Sequence, residues 1–145
     1  MAGRIRSAGH PAVACLRRKP SGIMKTIRVL LVDDHTIVRR GLAGLLRSED
    51  DLEIVGEAGD GESAVALTGE LCPDVVIMDI GLPGMDGIEA TRIIHRNFPD
   101  VRVIGFSMFR KSEQEKAMRD AGVAAYVEKS APADAVIEAI RTCVH

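Results

Sequence analysis

Five short, mostly apolar runs, each followed by a stretch of helical periodicity, constrain this chain more than any other feature. The runs are Ile27 to Val32, Leu52 to Ala58, Asp74 to Asp79, Val101 to Phe106 and Val123 to Glu128. Each is too short for an ordinary helix and reads as a strand buried on both faces. Between the runs the period changes. From Thr36 to about Arg47, residues Val38, Leu42, Leu45 and Leu46 recur at i, i+4, i+7 and i+8, one face of a helix. A second helix carries Ala64, Leu67 and Leu71 and is closed by Pro73. A third, Gly87 to about Asn97, turns Ala90, Ile93 and Ile94 inward. The fourth, Ser112 to Ala121, has Ala117, Met118 and Ala121 as its apolar face. The last takes Pro132 in its first turn and aligns Ala133, Val136, Ile137, Ile140 and Val144. Strict βα alternation predicts an α/β fold: one five-stranded parallel sheet, doubly wound, with helices on both faces.

The 145 residues hold one such domain. Charge separates an appendage from it. Residues 1–25 carry +6 with no acid, and residues 26–145 carry −8, within a net charge of −2. The basic stretch is broken by Gly3, Gly9, Pro11, Pro20 and Gly22 and has no period of 2 or 3.6. Residues 1–25 are therefore expected to be a disordered basic extension, and residues 26–145 the folded domain. No run approaches the roughly 18 apolar residues of a membrane span. One tyrosine and no tryptophan is a thin inventory for stacking on nucleic-acid bases. A cytoplasmic protein with no direct membrane or nucleic-acid contact is expected. Cys15, Cys72 and Cys143 fit no zinc or redox spacing and are expected to be reduced.

The chemistry stands at the strand ends. The first run closes in Asp33-Asp34-His35, the third in Asp79, the fourth in Ser107 and the fifth in Lys129. In a parallel sheet these meet at the carboxyl edge, where open α/β sheets bind ligands. Alone, Asp79 reads equally well as a polar residue closing a strand. Together, three crowded carboxylates repel, and a cation among them keeps them ionised. A hard divalent ion suits their oxygens, Mg2+ above all. Lys129 and the Ser107 hydroxyl then face whatever anion shares the metal, and a phosphoryl group satisfies all of them. His35 reads as a capping or solvated residue at the helix start.

In this order and spacing the chain resembles the receiver domain of two-component response regulators, over residues 26–143. The matching marks are Val32-Asp33-Asp34-His35, Asp79 ahead of Leu82-Pro83-Gly84-Met85-Asp86-Gly87, then Ser107, Tyr126 and Lys129. Asp-Asp-His ahead of Val38-Arg39-Arg40-Gly41-Leu42, with the pair Ser107-Met108, is similar to the NarL/FixJ-like subfamily, which usually carries a helix-turn-helix output domain. The resemblance implies a flavodoxin-like three-layer sandwich and a phosphorelay role. Asp79 would accept a phosphoryl group from a sensor histidine kinase or phosphotransfer protein. Asp33, Asp34, Asp79 and the backbone carbonyl of Gly81 would hold Mg2+, Lys129 and Ser107 would contact the phosphoryl oxygens, and Tyr126 would swing inward with the Ser107 loop. A homodimer formed on phosphorylation is left open. The implied protein is not an enzyme beyond its own phosphotransfer and dephosphorylation.

Departures from the family pattern are Ser130 where a proline commonly follows the lysine, Met108 where a small residue is usual, and the expectation of no output domain in this chain. A cis bond before a non-proline costs about 2.5–4 kcal/mol, so the Lys129–Ser130 isomer is left open. By the resemblance, Gly81 and Phe109 would flank the path of an attacking water, which predicts slow loss of the phosphoryl group. The competing reading is an aspartyl-phosphate hydrolase. Phosphatases of the haloacid-dehalogenase type, however, place Asp-x-Asp after the first strand, whereas Asp33 and Asp34 are adjacent and Asp79 belongs to the third.

Overall fold

The structure is a computed structural model that describes residues 26–108 and 112–144. The expectations for residues 1–25 and for Phe109 lie outside the described residues. Five strands and five helices alternate: β1 (Ile27–Val32), α1 (Thr36–Arg47), β2 (Leu52–Ala58), α2 (Gly61–Leu71), β3 (Val75–Asp79), α3 (Gly87–Asn97), β4 (Arg102–Ser107), α4 (Ser112–Ala121), β5 (Ala125–Glu128) and α5 (Ala133–Val144). The sheet is parallel in the order β2-β1-β3-β4-β5. This is the expected flavodoxin-like topology.

Side-chain alternation in β1 divides the core. Val29 and Leu31 face a cluster closed by Leu42, Ala43 and Leu46 of α1 and Val136, Ile137 and Ile140 of α5. Leu30 and Val32 face the opposite cluster, with Ala64 of α2, Ala90 and Ile94 of α3 and Met118 of α4. Each fully buried Leu, Ile or Val contributes about 1.5–3 kcal/mol, so a strand apolar on both faces is stable only between two helical layers.

The strand boundaries differ from expectation by one or two residues. Asp74 leads into β3 rather than belonging to it, because its carboxylate accepts from the Arg28 N–H at 2.9 Å and caps that end of β1. β4 begins at Arg102 and includes Ser107, and β5 starts only at Ala125. On α1, Leu45 is 48 % exposed and Ala43 takes the inner place expected for it. Leu46 lies between Leu42 and Ala43 around the helix, whereas Leu45 falls to the flank. On α2, Thr68 is buried, and its hydroxyl donates to the Ala64 carbonyl at 2.7 Å.

Register positions the strand ends. Val32 pairs with Met78, so Asp33 leaves β1 level with Asp79. Ser107 pairs with Glu128, one residue short of Lys129. The order reverses between β1 and β3, which opens a crevice at their carboxyl ends. Two glycines shape the loop after Asp79. Gly84 has φ +69°, which favours glycine. A Cβ at Gly87 would collide with the Asp79 carbonyl, so only glycine lets α3 start against the end of β3. The Gly87 N–H donates to the Ile80 carbonyl at 3.0 Å, and Asp86 caps the helix by accepting from the Glu89 N–H at 2.9 Å.

Candidate functional site

The structure brings the acidic strand ends and the lysine together. Asp33 and Asp79 are 3 % and 5 % exposed. The Lys129 side chain, itself 7 % exposed, places Nζ 2.7 Å from Asp33 Oδ2 and 3.3 Å from Asp79 Oδ2. One ammonium therefore serves two buried carboxylates. The Asp33 Oδ2 contact lacks hydrogen-bond geometry, which leaves that buried oxygen without a hydrogen-bond partner among the described residues. Asp79 Oδ1 accepts from the Gly81 N–H at 3.2 Å. Gly81 is exposed, and a Cβ there would meet nothing within 4 Å.

Burial, and then the negative charge of Asp33, push the Asp79 carboxyl above the ordinary carboxylate range. Lys129 and the Gly81 N–H oppose them. The ionised form of Asp79 is thus held at a cost, and a cation would relieve it. Asp33, Asp34, His35 and Asp79 each bring one ligand atom within 4.8 Å of the others. Oxygen donors from three carboxylates, two of them buried, fit a hard divalent cation.

Ser107 closes β4 with its side chain buried, and its backbone carbonyl accepts from the Lys129 N–H at 2.6 Å. That bond ties the ends of β4 and β5 together beside the pocket. The Lys129 ammonium also lies 5.7 Å from the centre of the Phe106 ring. The Lys129–Ser130 bond is trans, as are all peptide bonds among the described residues. Tyr126 is packed inward, 6 % exposed, in the cluster with Met118. Gly105 makes room for it: a Cβ there would stand 2.8 Å from Tyr126 Cδ1 and 3.1 Å from Met118 Cε. Met108 is exposed beside the pocket.

Two residues have more to do than their sequence positions suggest. Arg39 of α1 donates from Nε to Glu57 Oε1 of β2 at 2.8 Å and from Nη1 to the Asp33 carbonyl at 2.5 Å. It thereby fixes the peptide that joins the two acids. Its helical position next to Val38 hints at a half-buried cation, but its partner comes from another strand and leaves no local signal. His35 stands at the N-cap position of α1, where its side chain makes no capping bond to the helix. Its backbone N–H donates to Asp33 Oδ1 at 2.8 Å, and its ring, 64 % exposed as expected of a solvated residue, also stands with Nδ1 3.2 Å from Asp33 Oδ1. Cys72 is disulfide-bonded, contrary to the expectation of reduced thiols, while Cys143 is free.

Comparison with known proteins bears on this arrangement. Residues 29–141 match the family described as the response regulator receiver domain. The chain is 44 % identical over 115 residues to the transcriptional regulatory protein LiaR of Bacillus subtilis (strain 168), covering 79 % of this chain and 54 % of LiaR. Among solved structures, a LuxR-family two-component response regulator from Aurantimonas sp. SI85-9A1 shares 38 % identity with a TM-score of 0.79, over 83 % of this chain and 86 % of that one. The CheX-CheY-BeF3-Mg2+ complex from Borrelia burgdorferi superposes with a TM-score of 0.78 at 27 % identity, over 83 % of this chain and 91 % of that one. The chain spans about half the length of the curated relatives it matches.

Proposed function

Because the chain belongs to the response-regulator receiver family of two-component signalling, we propose that it accepts a phosphoryl group onto Asp79 from the phosphohistidine of a sensor histidine kinase or phosphotransfer protein. The observation that carries this reading is the ammonium of Lys129 shared by Asp33 and Asp79 at 2.7 and 3.3 Å in a buried pocket. An Asp79 carboxylate oxygen attacks phosphorus. The new O–P bond forms as the P–N bond to the donor imidazole breaks, and the freed nitrogen takes up a proton.

The modification adds nearly two negative charges and three acceptor oxygens. Lys129 meets this charge without leaving its pocket, by turning from the carboxylates to a phosphoryl oxygen. The Ser107 hydroxyl donates to another. Asp33, Asp34, Asp79 and the Gly81 carbonyl are the residues that would hold Mg2+, which supplies offsetting charge to the carboxylates and the transferring group. The Mg2+ and beryllofluoride named for the Borrelia complex support this choice of ion. Arg39, by gripping the Asp33 carbonyl, keeps the acidic pair oriented toward that position.

Signal output follows from a local pull on the end of β4, where Ser107 and the inward ring of Tyr126 lie on the same strand end and its neighbour. In this reading the chain is a signalling receiver whose only chemistry is its own phosphotransfer and dephosphorylation. It regulates a partner or output domain in the cytoplasm without itself touching nucleic acid or membrane. LiaR's description as a transcriptional regulator supports a transcriptional output. Among the described residues no helix is long and apolar enough to cross a membrane. The test is uptake of phosphate from acetyl phosphate with and without Mg2+. Uptake should require the metal and be lost in Asp34→Ala; metal-independent uptake would overturn the assignment of the acidic pair.

A further inference from the structure

The loop that would bring the Gly81 carbonyl to the metal is tied at its ends and pressed from one side. The Leu82 and Gly87 N–H groups both donate to the Ile80 carbonyl at 3.0 Å, which closes the loop on itself. Leu82 is buried in the core, whereas Gly81, Pro83 and Gly84 are exposed. The press comes from α2. Gly61, its first residue, is buried, and a Cβ there would collide with the Met85 carbonyl oxygen and stand 3.1 Å from both the Met85 carbonyl carbon and its Cβ. We propose that Gly61 is a positioning residue for the metal site: without a side chain, it lets the start of α2 seat the loop so that the Gly81 carbonyl faces the ion. This rests on the receiver reading of the pocket and adds a residue outside the pocket that sets its metal affinity.

Local backbone preference would accept alanine at this position. The positive-φ glycines among the described residues are Gly84 and Gly122, not Gly61, and alanine is the better helix former. The approach of Met85 is what reserves the place for glycine. An added methyl group there meets a backbone oxygen rather than the yielding end of a side chain, so one segment of backbone has to shift. The α2 side is firmly held: Asp60 caps it by accepting from the Ser63 N–H at 2.7 Å, and Ala64 is buried in the same core cluster as Leu30 and Val32 of β1. The loop therefore gives way first, through its exposed residues, Gly81 among them. Mg2+ demands near-ideal octahedral geometry with ligands at about 2.0–2.1 Å. A small displacement of the Gly81 carbonyl is felt there as lost affinity.

The probe is Mg2+ added to the full chain. Calorimetry on Gly61→Ala should show the Kd for Mg2+ raised about tenfold, and saturating Mg2+ should restore uptake from acetyl phosphate toward the wild-type rate. A merely structural role would lower the Tm and leave the Mg2+ affinity of the folded protein unchanged. Gly44→Ala, where a Cβ would meet nothing within 4 Å, should bind Mg2+ as wild type does. A second arm needs no variant and decides the matter if Gly61→Ala does not fold. In the amide proton–nitrogen spectrum of wild type, the Gly61 and Met85 signals should shift as Mg2+ is added, with the same midpoint as Gly81. A folded Gly61→Ala that binds Mg2+ with wild-type affinity, or a Gly61 amide that does not move in wild type, overturns the inference and leaves the receiver site standing. Mg2+ bound with full affinity by Asp34→Ala, or not bound by wild type at all, overturns both.

Discussion

Lys129→Met deletes the one charge that two buried carboxylates share while keeping an unbranched stem in its place. At an effective dielectric of about 20, contacts of 2.7 and 3.3 Å correspond to about 6 and 5 kcal/mol of gross attraction. Most of that repays desolvation of the ammonium. Removing one partner from a buried ion pair costs about 3–5 kcal/mol net, because the remaining charge is left uncompensated. Here Asp33 and Asp79 would face one another with Lys129 gone, which argues for the upper part of that range. For a domain of this size the loss corresponds to a fall in Tm of about 10–20 °C without metal. A divalent cation replaces the missing charge. Mg2+ at 100 times its Kd stabilises by about 2.7 kcal/mol, so it should recover much of the loss and raise the variant's Tm more than that of wild type. Adding Asp79→Asn should recover part of it without metal. The assay is thermal unfolding of four proteins, wild type, both single variants and the double, in EDTA and in Mg2+. A metal-free Lys129→Met that melts within about 2 °C of wild type would refute the reasoning.

Further outcomes follow from other residues. The raised Asp79 carboxyl makes its protonated form the stabilising one, so metal-free stability should decline as pH rises from the ordinary value of 3.8 through the higher folded one. Asp79→Asn should flatten that decline in a pH series of melts, and an unchanged slope would assign it elsewhere. Gly105→Ala should cost about 1–3 kcal/mol and displace the Tyr126 ring. As Tyr126 is the only tyrosine and there is no tryptophan, quenching of intrinsic fluorescence by iodide should increase; a ring that stays shielded would show that strand four yields instead. Arg39→Gln should weaken Mg2+ binding by about 10–100-fold through a misplaced Asp33–Asp34 peptide, read by calorimetry, and wild-type affinity would remove Arg39 from any positioning role.

The fold is legible in the chain because local pattern and long-range packing agree. Runs such as Val75 to Met78 are apolar on both faces, and only a parallel sheet between two helical layers buries both. Asp33, Asp79, Ser107 and Lys129 are legible because parallel strands put all their carboxyl ends on one edge, so a strand-end residue needs no tertiary information to be placed there. What is not legible depends on rotation and on partners distant in sequence. Leu45 satisfies the helical period yet points to solvent, since period alone does not say which of two adjacent stripes meets the sheet. The clamp of Arg39 on Glu57 and the Asp33 carbonyl joins three elements and has no sequence signature. The turn of the His35 ring toward the acids depends on a side-chain rotation that no spacing records. The inward Tyr126 follows from the slot at Gly105, a contact between neighbouring strands that becomes visible only once their register is known.

The central claim is that Asp79 carries the phosphoryl group, and its most direct measurement is intact-protein mass spectrometry after incubation with acetyl phosphate and Mg2+, followed by localisation of the modified residue. The account predicts one phosphoryl group per chain, on Asp79, in wild type and none in Asp79→Asn. An Asp79→Asn protein that gains the same mass at the same rate would contradict it.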